Sequence, residues 1–218
     1  MPASIRLALL CLAASFAAAA QDAGSRVDYA TLHRVLAPAQ TLRGFDRLRP
    51  VERIESSLPG VRADAIRLTV ESARGAIAVP VGADGRLDFP MSDALLRENP
   101  PVATNQPKGT LTLTVSFELK LPPGARVDWR DVEASLAQAD AVVRGQGGRS
   151  DGAEFDFDPA AHAHIDTEGA APRRFEADAD GRILIPRAVG AQATALRLSA
   201  APRAVLPLLI PADSQGGS

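Results

Sequence analysis

The sequence predicts an α+β fold, mostly β, arranged as two tandem diverged repeats, each a capped helix followed by about four or five antiparallel strands. Three observations predict it. Two pairs of segments recur in the same order along the chain. Residues 110–121 alternate strictly between apolar and polar side chains, the pattern of a strand with one buried and one wet face. The only cysteine, Cys11, lies among the first 20 residues, so no disulfide staples the rest and a hydrophobic core must hold it.

The chain opens with one positive charge, Arg6, an apolar run over residues 7–16, and an alanine run ending Ala18-Ala19-Ala20. This is the form of a secretory signal peptide over residues 1–20, cut before Gln21. The expectation is therefore an exported, periplasmic protein. Leu10 precedes Cys11 where a lipoprotein signal needs a small residue, which argues against lipidation. No later stretch approaches the roughly 20 apolar residues of a membrane-spanning helix, so no stable membrane insertion is expected after signal cleavage. Without Arg6, 23 basic residues stand against 26 acidic ones. So weak a balance argues against the concentrated basic surface that phosphate binding needs, and no nucleic acid is expected as a partner.

The elements follow in order. Val27-Asp28-Tyr29 opens a first helix, with Asp28 as cap and Val27 stapled to Leu32; Tyr29, Leu32 and Leu36 line one face. Pro38 should end that helix near Ala37. Ile66, Leu68 and Val70 then share one face of a strand. Residues 82–90, Gly-Ala-Asp-Gly-Arg-Leu-Asp-Phe-Pro, read as a hairpin. A three-residue loop with a left-handed glycine keeps one face apolar, placing Val81 opposite Leu87 and Val79 opposite Phe89. Residues 98–109 are rich in proline and polar side chains and have no clear counterpart later in the chain. Loops presented by a rigid sheet carry binding function, so Asn99, Asn105, Gln106 and Lys108 are the candidate partner-binding residues. In the strand at 110–121, Leu111, Leu113, Val115, Phe117 and Leu119 form the buried face; Glu118 and Lys120 fall on the wet one.

The second copy begins at Val127-Asp128-Trp129, with Trp129, Val132, Leu136 and Val143 on one helical face and an end at Gly145. Strands follow over 154–158, 161–166, 175–177 and 195–199. The hairpin returns as residues 178–186, Asp-Ala-Asp-Gly-Arg-Ile-Leu-Ile-Pro, with Ala177 facing Ile183 and Phe175 facing Ile185. Residues 204–210 close the fold, and Pro207 confines them to an edge or bulged strand. Asp28 precedes Asp84 by 56 residues and Asp128 precedes Asp180 by 52. The expected divisions are thus a signal peptide at 1–20, repeat 1 at 21–122, repeat 2 at 123–212 and a disordered tail at 213–218.

Several local patterns touch on chemistry. Gly148-Arg149-Ser150-Asp151-Gly152 fits G-x-S-x-G, with Asp156 and His162 following in serine, acid, histidine order. A nucleophile elbow, however, leaves a strand and enters a helix, and Ser150 does the reverse. His162, His164 and Asp166 share one face of a predicted strand and could begin a zinc or copper site. Glu176, Asp178, Asp180 and Gly181 match four positions of a calcium loop, but Arg187 stands where a bidentate glutamate is required. No cofactor is expected.

Residues 177–186 resemble the hairpin of carboxypeptidase-regulatory-like β-sandwich modules, which implies an extracellular, non-catalytic domain. The Asn99-Pro100-Pro101-Val102 and 105–109 stretches resemble segments of exported proteobacterial proteins of unassigned function, which implies no activity. The expectation is a non-catalytic envelope protein with a binding or structural role, its partner an unknown envelope protein or glycan. The alternative is a periplasmic metal-binding protein or hydrolase centred on His162 and His164 or on Ser150.

Overall fold

The structure, a computed structural model, describes residues 24–169 and 171–211. The signal peptide expected at 1–20 and the tail expected at 213–218 lie outside the described residues. The fold is α+β and mostly β, with thirteen strands in four open antiparallel sheets and four helices among the described residues. The described chain divides into two compact units. The first holds residues 24–41 and Pro50–Ser116; the second holds Leu42–Arg49 and residues 117–211.

The first unit takes in β1 (Arg26–Asp28), α1 (Tyr29–Leu42) as far as Thr41, β2 (Leu48–Ser56) from Pro50, β3 (Leu68–Ser72), β4 (Gly75–Val79), α2 (Asp93–Glu98), β5 (Pro101–Thr104) and β6 (Leu111–Leu119) as far as Ser116. Its main sheet has the order β1-β5-β3-β4, with Val102 of β5 opposite Val27 on one side and Val70 on the other. β2 and β6 pair as a ribbon, and Arg86 bridges to Arg53 of β2.

The second unit runs through β7 (Arg126–Asp128), α3 (Trp129–Val143), β8 (Gly148–Asp156), β9 (His164–Gly169), β10 (Arg174–Glu176), β11 (Arg182–Pro186), α4 (Arg187–Gly190), β12 (Ala193–Leu198) and β13 (Ala204–Pro211). Its sheets have the orders β10-β9-β12-β7 and β11-β8-β13. Read from the other end, the first is β7-β12-β9-β10, the same succession as β1-β5-β3-β4. Leu196 of β12 stands opposite Val127 and Thr167, as Val102 stands opposite Val27 and Val70.

Both hairpins have the three-residue loop with a left-handed glycine. Val81 pairs with Leu87, Gly82 N–H donates to the Arg86 carbonyl (2.7 Å), and Gly85 has φ +79°. Asp178 N–H donates to the Arg182 carbonyl (3.0 Å), and Gly181 has φ +81°. Beyond the loop the two arms part. Phe175 lies opposite Ile165, and Ile185 lies opposite Ala153 rather than Phe175; likewise Val79 lies opposite Leu68. The second hairpin therefore hands the chain from one sheet to the other, because each arm finds a longer ladder elsewhere.

The helices depart from expectation at their ends. α1 runs through Pro38 to Leu42, since Leu36, Ala39 and Leu42 are all buried and burial outweighs the one missing backbone bond. Asp128 makes no capping bond; it accepts instead from Arg126 (2.6 Å). The Ala30 N–H at the start of α1 is satisfied by Asn99 Oδ1 (2.8 Å), not by Asp28. The core stripe of α3 is Trp129, Val132, Leu136, Ala139 and Val143, with a spacing that keeps one face inward. Fully burying Leu136 contributes about 2 kcal/mol. Pro207 sits where predicted: β13 is an outer strand, and its register against β8 shifts between Pro207 and Leu209. Among the described residues no helix is long and apolar enough to cross a membrane.

Candidate ligand cavity

The first unit contains an open cavity of about 370 Å³. Its walls come from one face of α1 (Leu32, Val35), from β2 (Ile54), from β6 (Leu111, Leu113), and from Val27 and Phe89. Alternation and helical spacing put these apolar side chains on inward faces, yet Val27, Leu32, Val35, Leu111 and Leu113 are only half-buried. All five line the cavity. Arg26, Asp28 and Lys108 stand at its polar margin. Arg26 bonds Glu71 (3.0 Å), and this carboxylate raises the guanidinium pKa above its ordinary value.

The second unit has packed side chains in the matching places. In both units one strand residue donates its N–H to the carbonyl of the hairpin glycine at 2.8 Å: Ile54 to Gly85, and Phe157 to Gly181. One residue pair earlier, Arg53 bridges Arg86 as Asp156 bridges Arg182, which sets Glu52 against Phe155. Phe155 and Phe157 are both fully buried. On the helices, Val132 and Leu136 are fully buried, whereas Leu32 is half-exposed where Val132 is not. Thus the Phe157 ring stands in the second unit where the first has the smaller Ile54, and Ile54 lines the cavity.

Residues 98–109, expected to be an unmatched loop, contain a central strand. Asn99 closes α2 with φ 50°, β5 follows at once, and β12 occupies the same sheet position in the second unit. Asn99 and Asn105 are held internally. Asn105 Oδ1 accepts the Arg67 N–H (2.8 Å) and its Nδ2 donates to the Ala65 carbonyl (2.9 Å). Ser199 does the same for the second unit, accepting the His164 N–H (2.8 Å). Gln106 is buried, its carbonyl accepts from Ser25, and its Oε1 has no hydrogen-bond partner among the described residues. Of the four candidates only Lys108 borders the cavity. Glu118, expected on a wet face, is buried and paired with Arg49 (2.5 Å).

Ser150 is fully buried within β8. Its hydroxyl and its N–H both donate to Asp140 Oδ1, each at 2.6 Å, and Asp140 also binds Arg187 (3.0 Å), which binds Glu133 (2.5 Å). Burial raises the Asp140 pKa, but the bonds from Ser150 and Arg187 outweigh it and hold this carboxyl below the usual range. His162 does not share a strand face with His164: it follows a 3-10 turn with φ 44°, and β9 starts two residues later. His164 and Asp166 approach to 3.7 Å, and Asp166 is held by Arg174 (2.7 Å). Among the described residues no three His, Cys, Asp or Glu side chains converge as a metal site would need. Asp178 accepts the N–H groups of Asp180 and Arg182, each at 2.9 Å, so it closes a hairpin turn.

Periodicity could not have found the cavity, because it marks which side chains point inward and not whether they meet. Aligned on the hairpin glycines, the sequence sets Ile54 against Ser150; only the backbone bonds to Gly85 and Gly181 set it against Phe157. Compared with known proteins, the chain matches no family model, no curated protein and no solved structure.

Proposed function

We propose that this chain is a non-catalytic protein of the bacterial cell envelope that holds a small apolar ligand in the cavity of its first unit. The observation that carries the reading is the cavity itself, about 370 Å³ with walls of Leu32, Ile54, Leu111 and Leu113. That volume lies in the range of about 300–1,000 Å³ typical of ligand sites. An engineered apolar cavity of roughly 150 Å³ already takes up benzene. The charged n-region, apolar run and alanine-rich end of residues 1–20 support export to the periplasm. The paired strand orders support descent from one duplicated unit, of which the second copy kept a packed core and the first became a receptacle. The burial of Ser150 and its bond to Asp140 support a structural role for that hydroxyl.

The test is a titration of the purified protein with anilinonaphthalene sulfonate, whose fluorescence rises in apolar surroundings. One saturable site per chain is expected, weakened about tenfold or more in Ile54→Phe, a difference of at least about 1.4 kcal/mol. The same substitution fills empty volume and leaves the melting temperature unchanged or raises it. Equal binding by the wild type and Ile54→Phe, or no saturable site in the wild type, refutes the proposal.

A further inference from the structure

We infer that the outer strand β4 and the groove beside it form a docking site for an extended acidic peptide of a partner protein, independent of the cavity. β4 ends the sheet β1-β5-β3-β4, and its sequence Gly75-Ala76-Ile77-Ala78-Val79 carries no charge and no proline. Four of its five residues are exposed, Ile77 to 37%. Outer strands left this long and uncharged invite a further strand, and proteins ordinarily guard them. The second unit guards the same position: β10 is three residues long and carries Arg174 and Glu176, with Arg174 bonded to Asp166. The opposite edge of the first sheet, β1, is also three residues and carries Arg26 and Asp28.

The ladder fixes which backbone groups are available. Ser72 pairs with Gly75 across a two-residue hairpin loop, so this pair exchanges both hydrogen bonds, as do Val70–Ile77 and Leu68–Val79. Ala76 and Ala78 fall between them and turn their N–H and C=O groups away from β3. A strand laid alongside would bond to these two residues and place alternate side chains over the adjoining groove.

That groove is lined by Ile77 and Ala76 of β4, by Leu95 of α2, and by Arg74, Arg97 and Glu98. Glu98 is committed, since its Oε1 accepts the Ala73 N–H (2.5 Å). Arg74 and Arg97 are exposed, and neither guanidinium has an ion pair or hydrogen bond among the described residues. The groove thus offers an apolar floor and two available cations, which select a segment alternating apolar residues with a carboxylate side chain.

Fluorescence anisotropy with a labelled short peptide alternating valine with threonine and glutamate, beside the same peptide with lysine for glutamate, tests this. The wild-type chain should bind the acidic peptide about tenfold or more tightly than the basic one. Ala78→Pro removes an outward N–H without touching the β3 ladder, so it should cost about tenfold or more in peptide affinity. A far-ultraviolet circular dichroism spectrum equal to that of the wild type serves there as the control for folding. Arg74→Glu combined with Arg97→Glu should reverse the preference between the two peptides. Binding by Ala78→Pro equal to wild type, equal affinity for the two peptides, or no peptide binding at all overturns the inference. So does a dimer in sedimentation that Ala78→Pro dissolves, because β4 would then pair with a second copy.

Discussion

At the scale of single residues, Asp140 gathers the Ser150 hydroxyl, the Ser150 N–H and the Arg187 guanidinium on one half-buried carboxylate. Folding lowers its pKa, so the ionised form contributes its full stability above the unfolded value of about 3.9 and loses it as pH falls through the lower folded value. Asp140→Asn keeps an acceptor for Ser150 but removes the charge facing Arg187. It should lower the unfolding free energy by about 2 kcal/mol at pH 7. Chemical denaturation at a series of pH values should show that gap closing below about pH 4. A gap that stays constant down to pH 2 would place the loss in packing instead of charge. The G-x-S-x-G pattern at Ser150 shows the limit of reading motifs alone: the spacing was visible, but only the partner ten residues upstream reveals what the hydroxyl does.

At the scale of elements, the hairpins were the most legible part of the sequence, and for a physical reason. A left-handed glycine and an apolar face together leave one register, and Val81 opposite Leu87 is the result. The glycine is required twice over. A methyl group on Gly181 would meet the Phe157 carbonyl oxygen at 2.5 Å, and one on Gly85 would meet that of Ile54 at 2.7 Å. Gly147 has a similar φ of +69° but open space around it. Gly181→Ala should therefore cost about 1–3 kcal/mol in strain plus a steric displacement, and more than Gly147→Ala, which costs strain alone. Thermal melts of the two variants would compare them, and equal losses would show that the close approach is not maintained. Helix starts were less legible. Asp28 has the right residue type for a cap, but the group that satisfies Ala30 is Asn99, brought from 69 residues away by α2 and β5. No local pattern encodes such a partner. The same blindness turned residues 98–109 into a loop, because proline and asparagine are turn-formers on average while Pro101–Thr104 here fills the middle of a sheet.

At the scale of the whole molecule, the strand orders β1-β5-β3-β4 and β7-β12-β9-β10 agree, although β11 has no strand counterpart in the first unit, and details recur beyond the segments whose sequences match. Asn105 and Ser199 cap equivalent backbone groups, and Arg26–Glu71 has its counterpart in Arg126–Glu168 (2.9 Å). The units differ most where function is proposed. Phe157 closes the interior of one, and Ile54 leaves a cavity in the other. The measurement that bears on this most directly is a crystal structure of the protein under xenon pressure, since xenon enters apolar cavities that exclude water. Xenon density is expected among Leu32, Ile54 and Leu113 in the wild type and is expected to be lost in Ile54→Phe. Side chains collapsed into that space, with no xenon bound there, would contradict it.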